Sequence, residues 1–322
     1  MTKPKAIFII GPTASGKTSL AVDMAKTLNS EIISIDSRQV YKGLDLGTGK
    51  DLADFGEGED AVPYHLIDIV DPKMASYSIH KFVTDAVVAM QSIWAKGKVP
   101  ILVGGTSLYT NALINRYALD GCEPDLKLRA ELEPLSTEIL LEKLAQFPVQ
   151  FEKTDKSTRN RIIRGIEVGT HSQKSTPVEI PEFDYILMAP YYHRKISHQR
   201  IEQRLNARFD EGMIEEVRAL HESGVTWEKL DWFGLEYRHI ANYLKGETSE
   251  TEMRERLLIK IRQFCKSQDI WLRKMEREGK DIYWLPEGNR VSAEMLANRF
   301  IAGESLPTPV IRLNDIHYGP KQ

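Results

Sequence analysis

The chain has 322 residues, 42% of them hydrophobic and 28% charged, with a formal net charge of −3. That balance supports a buried core in one large domain or two moderate ones, and it excludes a globally basic nucleic-acid binder, so any such role must come from local clusters. The two cysteines, Cys122 and Cys265, stand far apart in no metal-ligand spacing, which argues against a disulfide framework or zinc site and fits a reducing compartment.

In chain order, the first apolar run is KAIFII (5–10), ended by Gly-Pro. It is too short for the apolar region of a signal peptide and reads as a first buried strand. EIISID (31–36), HLIDIV (65–70), VPILVGG (99–105) and YILMAP (185–190) follow the same pattern. Such runs, rich in Ile and Val without polar alternation, suit parallel strands buried on both faces. Residues 17–29 and 79–96 carry helical periodicity between the strands, so the chain predicts a doubly wound α/β sheet. Residues 120–180 form a helical excursion, and 195 to about 280 are mostly helical, with Ile201, Leu205, Phe209, Ile214 and Val217 on one face and a stop at Gly224. The tail after 303 has Pro and Gly and no clear period, which predicts an irregular end. No apolar run approaches the ~20 residues of a membrane helix; a cytoplasmic location is expected.

The stretch between the first strand and its helix reads Gly11-Pro12-Thr13-Ala14-Ser15-Gly16-Lys17-Thr18. It satisfies the G-x-x-x-x-G-K-[ST] phosphate-loop pattern in the strand-to-helix context that confirms it. The glycines let backbone N–H groups turn inward, and the helix N-terminus favours an anion. Lys17 supplies charge to terminal phosphates, and Thr18 is positioned as a Mg²⁺ ligand. The local spelling says that a polyphosphate is bound but not which one.

Asp36 ends the second strand, followed by Ser37, Arg38 and Gln39. Ligands of open α/β sheets sit beyond the carboxyl ends of strands, where an acid holds metal, takes a proton or merely caps a turn. The strand at 99–105 ends in Gly104 and Gly105, then Thr106. These permit close backbone approach beside a hydroxyl, or simply a tight turn capped by Thr106. A hydrolysing NTPase often carries a metal-binding Asp at such a strand end; here only Asp68 or Asp71 could serve instead.

Three segments are locally basic: five Lys/Arg against one acid over 153–164, five against one over 194–208, and nine against four over 254–280. In the last, Arg262, Lys266, Arg273 and Arg277 fall in a narrow arc of a helix, with Leu257, Ile261, Phe264, Leu272 and Met275 roughly opposite. Such faces are commonly solvated surface, but three clusters together point toward a polyanion such as RNA. Trp232, Phe233, Tyr237 and Trp271 lie nearby and either stack on bases or belong to the core.

At this point the sequence resembles the tRNA dimethylallyltransferases. The likeness rests on GPTASGKT (11–18), DSRQVYKGLDLGTGK (36–50), YHLIDIVDP (64–72), YSIHKFVTDA (77–86), VGGTSLY (103–109), LRAELE (128–133), NRIIRGIEV (160–168), IEQRL (201–205), GMIEEV (212–217) and CKSQDIWLRK (265–274), in that order. The resemblance implies a P-loop NTPase-like core with a helical insertion and a helical C-terminal half. It implies transfer of a dimethylallyl group from dimethylallyl diphosphate to N6 of the adenosine beside the tRNA anticodon. By it, the phosphate loop and Arg204 hold the diphosphate, Mg²⁺ sits at Thr18, Asp36 is the general base, and Thr106 helps place the reacting groups with Lys17. The tRNA contacts it implies are Asp36 to Gln39, Arg129, Asn160, Arg161, Ile162, Ile163, Arg164, the region around Gly234 to Arg238, and KSQDIWLR (266–273) with its Lys266 and Arg273.

Some positions depart from the family's pattern. The usual GTAKP reads GTGKD (47–51), a VGYRQ-like stretch reads GLEYRH (234–239), and the middle insertion reads as shortened around FPVQFEKTDKSTRN (147–160). The expected divisions are a core over 1–119, a tRNA-contacting insertion over 120–180, a return strand and helical part over 181–290, and a tail over 291–322, in a monomer. The alternatives are a transferase that prenylates free adenine nucleotides and, more remotely, a phosphate-loop small-molecule kinase or a non-catalytic RNA-binding module.

Overall fold

The computed structural model describes residues 3–74, 77–117, 119, 121, 124–171 and 178–318; Cys122 lies outside them. Strands β1 (Lys5–Ile10), β2 (Ile32–Ser34), β3 (Tyr64–His65), β4 (Ile101–Gly104), β5 (Asp184–Tyr191) and β6 (Ile282–Pro286) pair in parallel in the order β3-β2-β4-β1-β5-β6. The first helices are α1 (Lys17–Thr27), α2 (Ile79–Ala95) and α3 (Ser107–Ile114). The excursion carries α4 (Leu126–Leu132), α5 (Thr137–Ala145), α6 (Pro148–Lys153) and α7 (Arg159–His171). After β5 come α8 (Arg194–Asp210), α9 (Met213–Glu222), α10 (Trp227–Phe233), α11 (Leu235–Leu244) and the long α12 (Glu250–Arg277), then, beyond β6, α13 (Arg290–Ala302) and α14 (Leu313–Tyr318).

The sheet is doubly wound because its side chains alternate between two apolar layers. Ala6, Phe8 and Ile10 of β1 meet Phe82, Val83 and Met90 of α2. Ile7 and Ile9 meet Leu20 and Met24 of α1 and Leu296 of α13. Each such buried Ile, Leu or Phe contributes about 1.5–3 kcal/mol. The helical half has its own core around Tyr41, Leu205, Met213, Phe233, Tyr237 and Leu257. The excursion has a fourth, made of Leu132, Leu140, Leu144, Ile162, Ile163 and Ile166.

Four readings of the sequence change. The strand expected over 65–70 ends at His65, because Leu66 and Asp68 take left-handed backbone conformations (φ 64° and 55°) that break the ladder. The helix expected to run to Gly224 divides at Gly212, whose φ of 98° lets α9 turn away from α8. A sixth strand, β6, joins the sheet edge beside β5. The segment from 291 begins with α13 packed into the sheet's apolar layer, and α14 buries Leu313, leaving 304–312 irregular among the described residues. Among the described residues no helix is long and apolar enough to cross a membrane.

Candidate active site

The phosphate loop runs from β1 into α1 with Gly11 and Gly16 at φ 149° and 81°, conformations glycine adopts without a Cβ penalty. Ala14 shares the left-handed region at φ 59°, a strain of the kind stored at functional loops. Lys17 Nζ donates to the Pro12 carbonyl at 2.6 Å, closing the loop on itself. Burial, with Arg204 as the next cause, brings the Lys17 ammonium down to about 8.

Three arginines, one turn apart on α8, line the site: two bond to this loop and the third reaches the 47–51 loop. Arg200 Nε donates to the Ala14 carbonyl at 3.0 Å, and Arg204 donates to the Thr13 hydroxyl. Arg208 lies 3.4 Å from Asp51. Burial, then Arg208, pulls Arg204 down to about 10. Burial and the mutual repulsion of these cations outweigh the pull of Asp36, Asp51 and Glu236, so the site is prepared for a polyanion. Sequence reading named Arg204 alone; the signal for the others was their spacing of four.

One channel contains Lys17, Thr18, Asp36, Ser37, Arg38, Gln39, Thr106, Arg204 and Arg208. Asp36 Oδ1 accepts the Arg38 amide at 2.9 Å, which orients the carboxylate and leaves Oδ2 without a protein hydrogen bond among the described residues. Thr106 does not cap α3 with its side chain; its Oγ1 accepts the Ser37 amide at 3.2 Å and ties the end of β2 to β4. Gly104 is obligatory here, since a Cβ would lie 2.5 Å from the Ile35 carbonyl oxygen. Gln39 has its amide committed inside the protein, accepting from Ser34 Oγ at 2.8 Å and donating to the Gly49 carbonyl at 3.0 Å.

Two residues hold the channel together in roles that sequence reading did not give them. Buried Gln268 accepts the Thr13 amide at 2.8 Å and donates to the Gly105 carbonyl at 3.3 Å, joining α12 to the phosphate loop and to β4. Glu216 of α9 accepts the amides of Asp45, Leu46 and Gly47 at 3.0, 2.7 and 3.1 Å and the Tyr237 hydroxyl at 2.8 Å. The loop after Asp36 is thereby fixed by charge-assisted bonds. Asp68, considered as a metal ligand, instead pairs with buried Lys50, and Asp71 accepts the Lys73 amide at 2.8 Å in a turn.

The other expected contacts lie outside the channel. Arg129 and Arg164 both pair with buried Glu167, at 2.6 and 3.1 Å, inside the excursion. Ile162 and Ile163 are core residues there, so their side chains are turned away from any RNA surface, and only Asn160 and Arg161 are exposed. Arg161 pairs with Asp155, and Arg238 pairs with Asp231 at 2.6 Å. On α12, Lys266 is exposed and Arg273 is half-buried. Phe264, expected on the apolar face, is 47% exposed and lines the channel instead. Phe233 and Tyr237 are core residues, whereas Trp232 and Trp271 are exposed.

The family model described as IPP transferase matches residues 39–275. The chain is 43% identical over 280 residues to tRNA dimethylallyltransferase 1 of Geotalea uraniireducens (strain Rf4), covering 87% of this chain and 91% of that protein. It superposes on the full-length tRNA isopentenylpyrophosphate transferase of Bacillus halodurans with a TM-score of 0.66 at 30% identity, covering 94% and 96% of the two chains. A eukaryotic dimethylallyltransferase acting on tRNA shares the fold, with a TM-score of 0.76 at 23% identity over 95% of this chain and 81% of that one. Together with the P-loop sheet and the channel it opens into, these likenesses show that the chain belongs to the IPP transferase family.

Proposed function

We propose that the protein transfers the dimethylallyl group of dimethylallyl diphosphate to N6 of the adenosine beside the anticodon in tRNA, releasing pyrophosphate. The observation that carries this reading is a single channel containing both a phosphate loop flanked by arginines and a carboxylate with one unengaged oxygen. A phosphate loop alone would serve a kinase equally well; the chain's family membership favours the prenyl donor.

The adenine amine is a poor nucleophile because its lone pair is delocalised into the ring. Asp36 accepts an N6 proton as the new N6–C bond forms. The C–O bond to the diphosphate breaks, and its electron pair leaves on the pyrophosphate oxygen. Lys17, Arg204 and the loop amides stabilise the charge that develops there. Thr106 acts on the base side by holding the Ser37 amide, and with it the Asp36 turn, in place. The target base has to leave its stack to reach the channel.

The loop mouth suits Mg²⁺, which keeps waters and substrate phosphates among its ligands and needs few protein groups. Thr18 lines it with Asp51 and Asp54, and burial, then Asp51, holds the Asp54 carboxyl above its ordinary value. Thr18 would hold the ion, which supplies further charge neutralisation on the diphosphate. We adopt a monomer acting on tRNA in the cytoplasm as part of this reading.

The test is incubation of the purified protein with labelled dimethylallyl diphosphate and, separately, an anticodon stem-loop or AMP. Label in the RNA is expected; label in AMP alone overturns the tRNA reading, and label in neither overturns prenyl transfer.

A further inference from the structure

A second acid faces the reaction channel and has no role in the scheme above. Glu236, in the first turn of α11, lines the same channel as Asp36, Thr106 and Lys17. Gly234 (φ 134°) makes the sharp junction between α10 and α11 that brings it round, and the neighbouring Tyr237 is anchored through its hydroxyl to Glu216. Apart from its own backbone amide, the Glu236 carboxyl has no hydrogen-bond partner among the described residues. It faces Arg208 and Arg204 from α8 and Asp36 from the loop after β2. Burial is the dominant influence on it and holds the carboxyl above its ordinary value, against the pull of the two arginines.

Resting on the acceptor reading above, we propose that Glu236, which lines the channel with Asp36, recognises the incoming adenine through hydrogen bonds to a ring nitrogen beside the amine and to one N6 proton. A neutral carboxyl carries one donor and one acceptor side by side. Adenine presents the complementary pair on either edge, a ring nitrogen acceptor beside an N6–H donor. The amine has two protons, so one can face Glu236 while the other is transferred to Asp36. An ionised carboxylate would be acceptor-only and would leave the ring nitrogen unpaired. The channel therefore holds two carboxyls with divided duties, one taking a proton and one keeping its own.

The competing role is purely electrostatic, with Glu236 acting as a charge that positions Arg204 and Arg208 for the diphosphate. The two separate by experiment. Steady-state transfer is measured for the wild type, E236Q and E236A on stem-loops carrying adenosine, 1-deazaadenosine or 7-deazaadenosine at the target position. E236A is expected to lower kcat/KM for the RNA about 10- to 100-fold, with KM for dimethylallyl diphosphate unchanged. E236Q, neutral with both a donor and an acceptor, recovers most of the loss. One deaza substrate costs the wild type a similar factor and costs E236A nothing further. If both deaza substrates cost all three proteins equally, or if E236Q matches E236A and raises KM for the diphosphate, base recognition by Glu236 is wrong. Wild-type transfer to the adenosine stem-loop reports the underlying acceptor reading by itself.

Discussion

The arginines of α8 and those of the excursion have the same charge and opposite situations. Arg200 and Arg204 are bonded to neutral oxygens of the phosphate loop, and Arg204 loses basicity to burial and then to the neighbouring Arg208. Arg129 and Arg164 share one buried carboxylate, Glu167, which burial alone would make more basic but which they hold below its ordinary value. The first set is waiting for a ligand; the second already has one, from within. A count of basic residues along the sequence cannot distinguish these states, because the difference lies in what the fold places opposite each guanidinium.

The contrast can be broken most severely at the channel. Asp36→Ala is expected to lower transfer by roughly 10²–10⁴-fold while leaving RNA binding nearly intact, measured by single-turnover labelling beside filter binding. Unchanged turnover would remove Asp36 as the base. Glu167→Ala removes the buried carboxylate these two half-exposed arginines share, and the excursion should lose about 1.5–3 kcal/mol of local stability, read as faster amide exchange over α4 and α7 with diphosphate KM unaffected. Protection equal to wild type would show that Glu167 does not hold the excursion together.

Arg204→Ala removes a ligand-ready cation and should cost about 1.5–3 kcal/mol in kcat/KM for dimethylallyl diphosphate, whereas Arg129→Ala should leave that parameter alone. Equal losses would erase the distinction between the two regions. A smaller effect concerns pH. Lys17 is charged below about 8 and neutral above it, so kcat/KM for the diphosphate should fall as pH rises through that value, by up to about tenfold per unit. A flat profile to about pH 9.5, more than a unit beyond that midpoint, would mean that Lys17 keeps its proton. Smallest is Lys266→Ala with Arg273→Ala, expected to flatten the salt dependence of RNA binding by about one unit of slope for each phosphate no longer neutralised. An unaltered slope would make this stripe solvated surface.

Much of this was legible in the sequence, for physical reasons. β1, β2, β4 and β5 are apolar runs buried on both faces, and the phosphate loop and Asp36 sit at strand ends where the topology puts ligands. β3 was overread because the ion pair of Asp68 with Lys50 overrides a good local strand pattern. α13 has its buried Ala293, Leu296, Ala297 and Phe300 at helical spacing, but two alanines give little contrast in hydrophobicity. Gln268 was beyond reach as a brace, since its partner Thr13 is 255 positions away. Glu216 likewise reads as one acid in a charged helix until the amides of 45–47 are seen to end on it.

The loop 47–51 carries a last consequence. Gly49 sits at φ 66°, and a Cβ there would fall 1.9 Å from an Arg208 guanidinium nitrogen. The space for that arginine is thus made by an absent methyl group on a different element, where GTGKD stands in place of GTAKP. One carbon at position 49 would push a positive charge out of its place in the channel without altering any ionisable residue. The electrostatic character of the channel is therefore open to change through shape alone, by a substitution that leaves the charge composition of the chain untouched.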